Sequence, residues 1–259
     1  MGSVLIQEET TKNPITLIGK EAGICWGANT DDNEKNYKRG LECIQSDHGR
    51  ALEFPQVYIT IDGYSARVMR ELYTHIGGSP TRLQASTRYI DYKDFAEKEQ
   101  YVIPESIRKA GSYALATYTA AMDNISRAMI ELEKFNIPKE DIALLLPLGM
   151  RSKMVLRTNL RNLIDMSHQR LCHRANWEFR VLFHDIMRAL SEYSPEWSSI
   201  VDNCFKPKCR YLGYCPEKHS CGATENARYK EVFKHFDCLK NNNLDKYREC
   251  RKIYIDDGK

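Results

Sequence analysis

The chain has 259 residues, 42% of them hydrophobic and 28% charged, and a formal net charge of +3. That length buries one sizeable core, or one domain with an appendage. The weak positive charge gives no footing for nucleic acid or an anionic membrane as partner. No apolar run reaches the length of a membrane span, and Met1-Gly2-Ser3 opens no secretory signal, so the cytoplasm is the expected location.

Residues 1–16 are polar and read as a frayed end. Ile15 to Trp26 reads as a strand and turn. Asn33 to Asp47 has helical spacing in Tyr37, Leu41 and Ile44. Val57, Ile59 and Ile61 alternate with Tyr58 and Thr60, which predicts a strand, followed by a short helical turn ending near Tyr73. Residues 74–89 then pack polar and cationic groups around Gly77, Gly78 and Pro80. That composition suits a loop holding an anion and a flat polar ring. Pro104 is placed to open a helix. From Ser112 the residues Leu115, Tyr118, Met122, Ile125, Met129 and Leu132 keep helical spacing up to Asn136-Ile137-Pro138. A second long helix is expected from about Thr158 to Tyr193. Arg170 lies on its apolar line of Leu163, Met166, Trp177 and Val181, where a cation needs a partner or a cavity. Composition changes after Pro195. The expected fold class is α+β, with a core over residues 1–199 and a cysteine-rich appendage over 200–259.

Nine cysteines are present, an odd number, which argues against a disulfide framework. Four of them, Cys204, Cys209, Cys215 and Cys221, fall within eighteen residues among prolines and glycines. Four thiols closing short loops suit a tetrahedral metal site. Zinc is the expected occupant, an iron–sulfur cluster the alternative. His219 is a possible substitute for one thiol, and four reduced, unligated cysteines are the bland reading. Cys172 is expected to be a buried free thiol outside the site. No Gly-x-Gly-x-x-Gly fingerprint marks a Rossmann cofactor site.

Several segments taken in order resemble the flavin-dependent thymidylate synthases, from about residue 17 to about 195. Ser86-Thr87-Arg88-Tyr89 resembles the Ser-x-Arg-Tyr end of that family's signature, and His75 stands at the middle of its Arg-His-Arg. His48-Gly49-Arg50-Ala51-Leu52-Glu53 resembles His-x-Ser-x-x-Glu. Tyr101-Val102-Ile103-Pro104, Leu146-Pro147 and Thr158-Asn159-Leu160-Arg161 follow, then Arg170, then Ala175-Asn176-Trp177-Glu178-Phe179-Arg180, similar to Ala-Gln-Trp-Glu-Ile-Arg. The departures are equally specific. Thr74 and Ile76 replace the two signature arginines, Glu71 a glutamine, Arg50 a serine, Leu83 an asparagine and Ala143 an arginine. Arg50, Arg67, Arg70 and Arg82 are the nearby cations available in compensation.

The resemblance implies reductive methylation of a uracil nucleotide at C5, dUMP to dTMP. FAD would be the cofactor, with methylenetetrahydrofolate and NADPH as co-substrates. It implies a homotetramer with shared sites. Glu71, Ser86, Arg88 and Arg170 would bind the nucleotide, with Arg170 polarising the uracil. His48, His75, Asn159, Arg161 and Arg174 would meet the flavin. Two other readings stay open: a relative acting on another pyrimidine nucleotide, and a non-catalytic nucleotide- or metal-binding protein.

Overall fold

The computed structural model describes residues 2–217 and 219–224. The elements run β1 (Ser3–Ile6), α1 (Pro14–Cys25), α2 (Asn33–Gln45), β2 (Gln56–Ser65), α3 (Ala66–Leu72), β3 (Thr81–Gln84), α4 (Glu105–Lys109), α5 (Ser112–Glu133), α6 (Lys139–Ile142), β4 (Arg151–Asn159), α7 (Leu160–Arg170), α8 (Trp177–Tyr193), α9 (Pro195–Cys204) and α10 (Lys208–Leu212). The fold is α+β, as expected.

The four strands form one antiparallel sheet in the order β1-β2-β4-β3. Val57, Ile59 and Ile61 of β2 alternate onto the buried face, joined by Met154 and Leu156 of β4. That face is packed into one core with α1, α3, α7, α8 and α9, including Leu72, Leu163, Phe179, Phe183 and Trp197. A second, smaller cluster joins α5 to Phe95, Tyr101 and Ile142.

Four sequence expectations are corrected. The N-terminal end is not frayed: β1 pairs with β2, Val4 opposite Ile61. The strand expected at Ile15 is helix α1, opened by Pro14 at its first position and buried through Ile15 and Ile18. The helix expected from Thr158 to Tyr193 is three elements. Its start belongs to β4, α7 ends at Arg170, and α8 restarts at Trp177 on the Asn176 cap, whose side chain accepts from the Glu178 N–H. Within residues 74–89, the short edge strand β3 pairs with β4.

Helix α9 runs across residue 199, and Ile200, Val201 and Cys204 join the main core together with Phe205. Phe205 meets Phe183 edge to face, with ring centroids 5.6 Å apart. Residues 205–217 then fold back against α7: Tyr211 stacks on His168 at 4.5 Å and donates to Asp47 at 3.0 Å. Cys238 and Cys250 lie outside the described residues.

Candidate active site

Helix α3 and the turn after it present Glu71, Thr74 and His75, and the end of α7 presents Arg170. The Arg170 guanidinium uses all three nitrogens: Nε donates to His75 Nε2 at 2.8 Å, Nη1 to Glu71 at 2.6 Å and Nη2 to the Thr74 hydroxyl at 3.3 Å. The guanidinium carbon also sits 4.4 Å from the centre of the Phe179 ring. Arg170 thus has the partners that its place on an apolar line requires. The other oxygen of Glu71 accepts from Asn176 at 2.8 Å. Sequence reasoning missed Asn176; its signal is a capping residue directly before an apolar helical run.

His75 is 5% exposed. Burial pushes its pKa down to about 4, and the cations of Arg170 and Arg82 add to the shift. A neutral ring whose Nε2 accepts from Arg170 carries its proton on Nδ1. Arg82, on β3, donates to the His75 carbonyl and lies 5.3 Å from the centre of the Tyr73 ring. Its Nε is buried without a hydrogen-bond partner, as is that of Arg157, which stands opposite Thr81 on β4 and donates to the Ser79 carbonyl at 3.4 Å.

The expected flavin residues gather at the start of α7. Asn159 caps that helix, its side chain accepting from the Asn162 N–H at 2.9 Å. The turn after His75 presses onto this cap. Gly78 has φ +67°, and a Cβ there would stand 2.1 Å from the Asn159 side-chain nitrogen, so only glycine fits. Arg161 pairs with Glu53 at 2.6 Å and lies close beside Gly49, the neighbour of His48. His48 itself is exposed. A cavity of about 370 Å³ opens between the His75 turn and α7, bordered by Thr74, His75, Gly77, Asn162, Asp165, His168 and Lys208.

Three expected site residues stand apart from this group within the protomer. Arg88 pairs with Glu140 at 2.8 Å, both exposed, and its N–H donates to the Ser86 hydroxyl. Arg174 bonds Glu217 at 3.2 Å and the His219 carbonyl at 3.1 Å, tying down the cysteine-rich loop.

The four expected metal cysteines are not brought to one point. Cys204 is buried in the main core, which raises its thiol pKa to about 11. Cys209, Cys215 and Cys221 instead border a cavity that also includes Cys172. Cys172 is a free thiol as expected, but half-buried rather than buried, and it borders that cavity as well. Among the described residues, no three His, Cys, Asp or Glu side chains stand close enough to share one metal ion. Among them, too, no helix is long and apolar enough to cross a membrane.

Comparison with known proteins identifies the family and the fold. The family model "Thymidylate synthase complementing protein" matches residues 5–196. The flavin-dependent thymidylate synthase of Pyrococcus abyssi is 33% identical over 192 residues, covering 72% of this chain and 75% of that protein. The enzyme of Clostridium tetani is 26% identical over 252 residues, covering 87% and 94%. The fold matches the solved flavin-dependent thymidylate synthase of Helicobacter pylori, complexed with FAD and dUMP. The TM-score is 0.61 at 18% identity, over 79% of this chain and 100% of that one. A guanidinium set between an acid and a neutral imidazole, on a fold and sequence matched over most of the chain, places the protein in the flavin-dependent thymidylate synthase family.

Proposed function

We propose that the protein is an FAD-dependent enzyme that reductively methylates dUMP at uracil C5 to give dTMP, with methylenetetrahydrofolate as carbon donor and NADPH as reductant. The carrying observation is Arg170. A guanidinium has five N–H donors, and three are engaged with His75, Glu71 and Thr74. Two remain for a uracil edge. Glu71 and His75 hold the plane of the group, so its charge is set before the base arrives.

The residues fit an anionic flavin nucleotide. Arg82 and Arg157 each keep a buried Nε without a partner, next to the His75 turn where the family arginines are Thr74 and Ile76. In our reading these two cations take over the work of the lost pair. His75, His48, Asn159 and Arg161 line the flavin side. When bound, FAD supplies the one-carbon relay and the hydride. The protein binds, orients and polarises.

Ser86 and Arg88 belong in this reading to the nucleotide site of a neighbouring protomer, in a homotetramer. Exposed Ile76, Leu83, Tyr89 and Tyr113 support a subunit interface there. Free cysteines throughout the described residues agree with a cytoplasmic setting.

The test is conversion of dUMP to dTMP, followed by mass spectrometry with FAD, NADPH and methylenetetrahydrofolate each omitted in turn. Product that requires all three is expected. No product with the complete mixture and flavin-loaded protein would refute the activity.

A further inference from the structure

A cavity of about 700 Å³ does not belong to the site around Arg170. It lies where residues 205–217 and 219–224 fold over the turn between α7 and α8. Four thiols border it: Cys172 from that turn, and Cys209, Cys215 and Cys221 from the loop. The two pieces of chain are held together by the Arg174–Glu217 ion pair and by Tyr211 stacked on His168. Cys215 is 6% exposed. His168 borders the same volume with a buried Nε2 that has no hydrogen-bond partner.

We infer that this cavity is the seat of an iron–sulfur cluster held by Cys172, Cys209, Cys215 and Cys221. Linear spacing favours Cys204, but that thiol is a core side chain at the end of α9, beside Phe205, and does not border the cavity. The fold substitutes Cys172, which is distant in sequence. Size selects the occupant. A zinc ion draws four sulfurs onto one point at about 2.3 Å each, whereas no three ligand groups among the described residues stand that close together. A cubane of iron and sulfide spreads its four cysteines around a larger body, and the cavity has room for one. Charge agrees: a cluster with four thiolates is anionic, and Arg174, Lys206, Lys208 and Arg210 border the volume against the single carboxylate of Glu217. The inference is independent of the reaction assigned to Arg170.

The test uses the full chain, made without a metal-affinity tag and purified anaerobically. Iron and acid-labile sulfide are measured, with Mössbauer spectra on iron-57-labelled protein. About four iron and four sulfide per chain are expected. Cys172→Ala, Cys209→Ala, Cys215→Ala and Cys221→Ala should each lose the cubane signal. Cys204→Ala should keep it, and so should a variant lacking both Cys238 and Cys250. Circular dichroism and the urea midpoint serve as controls that each variant's core is folded. Zinc without labile sulfide, or no metal at all, would overturn the cluster. A folded Cys172→Ala that keeps full iron while Cys204→Ala loses it would overturn the ligand set, as would loss of iron on removing Cys238 and Cys250.

Discussion

Arg170 Nε donates to His75 Nε2 at 2.8 Å, so one bond couples the cation at the end of α7 to the protonation state of a buried ring. Protonated His75 would set two positive donors face to face. Neutrality of the ring is therefore a condition of the site geometry.

This coupling predicts a pH dependence. The folded-state pKa of His75 lies near 4, below its usual 6.5. Above about pH 6.5 the ring is neutral in both folded and unfolded chains and contributes no slope. As pH falls from 6.5 toward 4 the unfolded chain gains a proton that the folded one refuses, so stability declines, by up to about 3 kcal/mol. Urea titrations across that range should show the decline in the wild type and a shallower one in His75→Gln. Parallel curves would remove His75 as the cause.

Arg170→Lys keeps the charge and loses the planar fork. A lysine cannot bond His75, Glu71 and Thr74 while leaving two donors for the base. Turnover of dUMP should fall by roughly a hundredfold or more, with a folded protein by circular dichroism. Wild-type turnover in this variant would end the assignment.

Arg82→Gln removes a cation whose Nε is unpartnered. FAD affinity should weaken by roughly tenfold, and dUMP affinity far less. Calorimetry with each ligand separately gives the comparison; equal losses would mean that Arg82 serves the fold and not the flavin.

Glu178 is 7% exposed and accepts from both the Ser65 N–H at 2.7 Å and the Ser65 hydroxyl at 2.5 Å. It fixes the first turn of α8 to the start of α3, and so holds the α8 cap Asn176 beside Glu71. Glu178→Ala leaves two buried donors unpaired and should cost about 2–4 kcal/mol, read from the urea midpoint. A loss below about 0.5 kcal/mol would show that water replaces the carboxylate.

The parts of the fold carried by local pattern were legible in the sequence. The alternation of Val57, Ile59 and Ile61 gave β2, and the spacing from Ser112 gave α5. Strand β4 was missed because only its buried set, Met154, Leu156 and Thr158, alternates. Its continuation into α7 passes through a single capping residue, Asn159. The break at 171–176 was hidden because apolar residues resume in helical phase on the far side. Arg170 was legible as a cation on an apolar line, but its partners Thr74, His75 and Glu71 lie about a hundred residues away, and only tertiary packing brings them together. The place of Cys172 beside the same cavity as Cys209, Cys215 and Cys221 was hidden for the same reason: spacing along the chain favoured Cys204, which the hydrophobic core takes instead.

The central claim is that this chain builds a methyl group on uracil C5. Its most direct test is a single turnover with pre-reduced FAD, dUMP and methylenetetrahydrofolate labelled with carbon-13 at the methylene. The account predicts dTMP with the label in its C5 methyl group, and its absence with Arg170→Lys. Unlabelled dUMP recovered intact from flavin-loaded wild-type protein would contradict it.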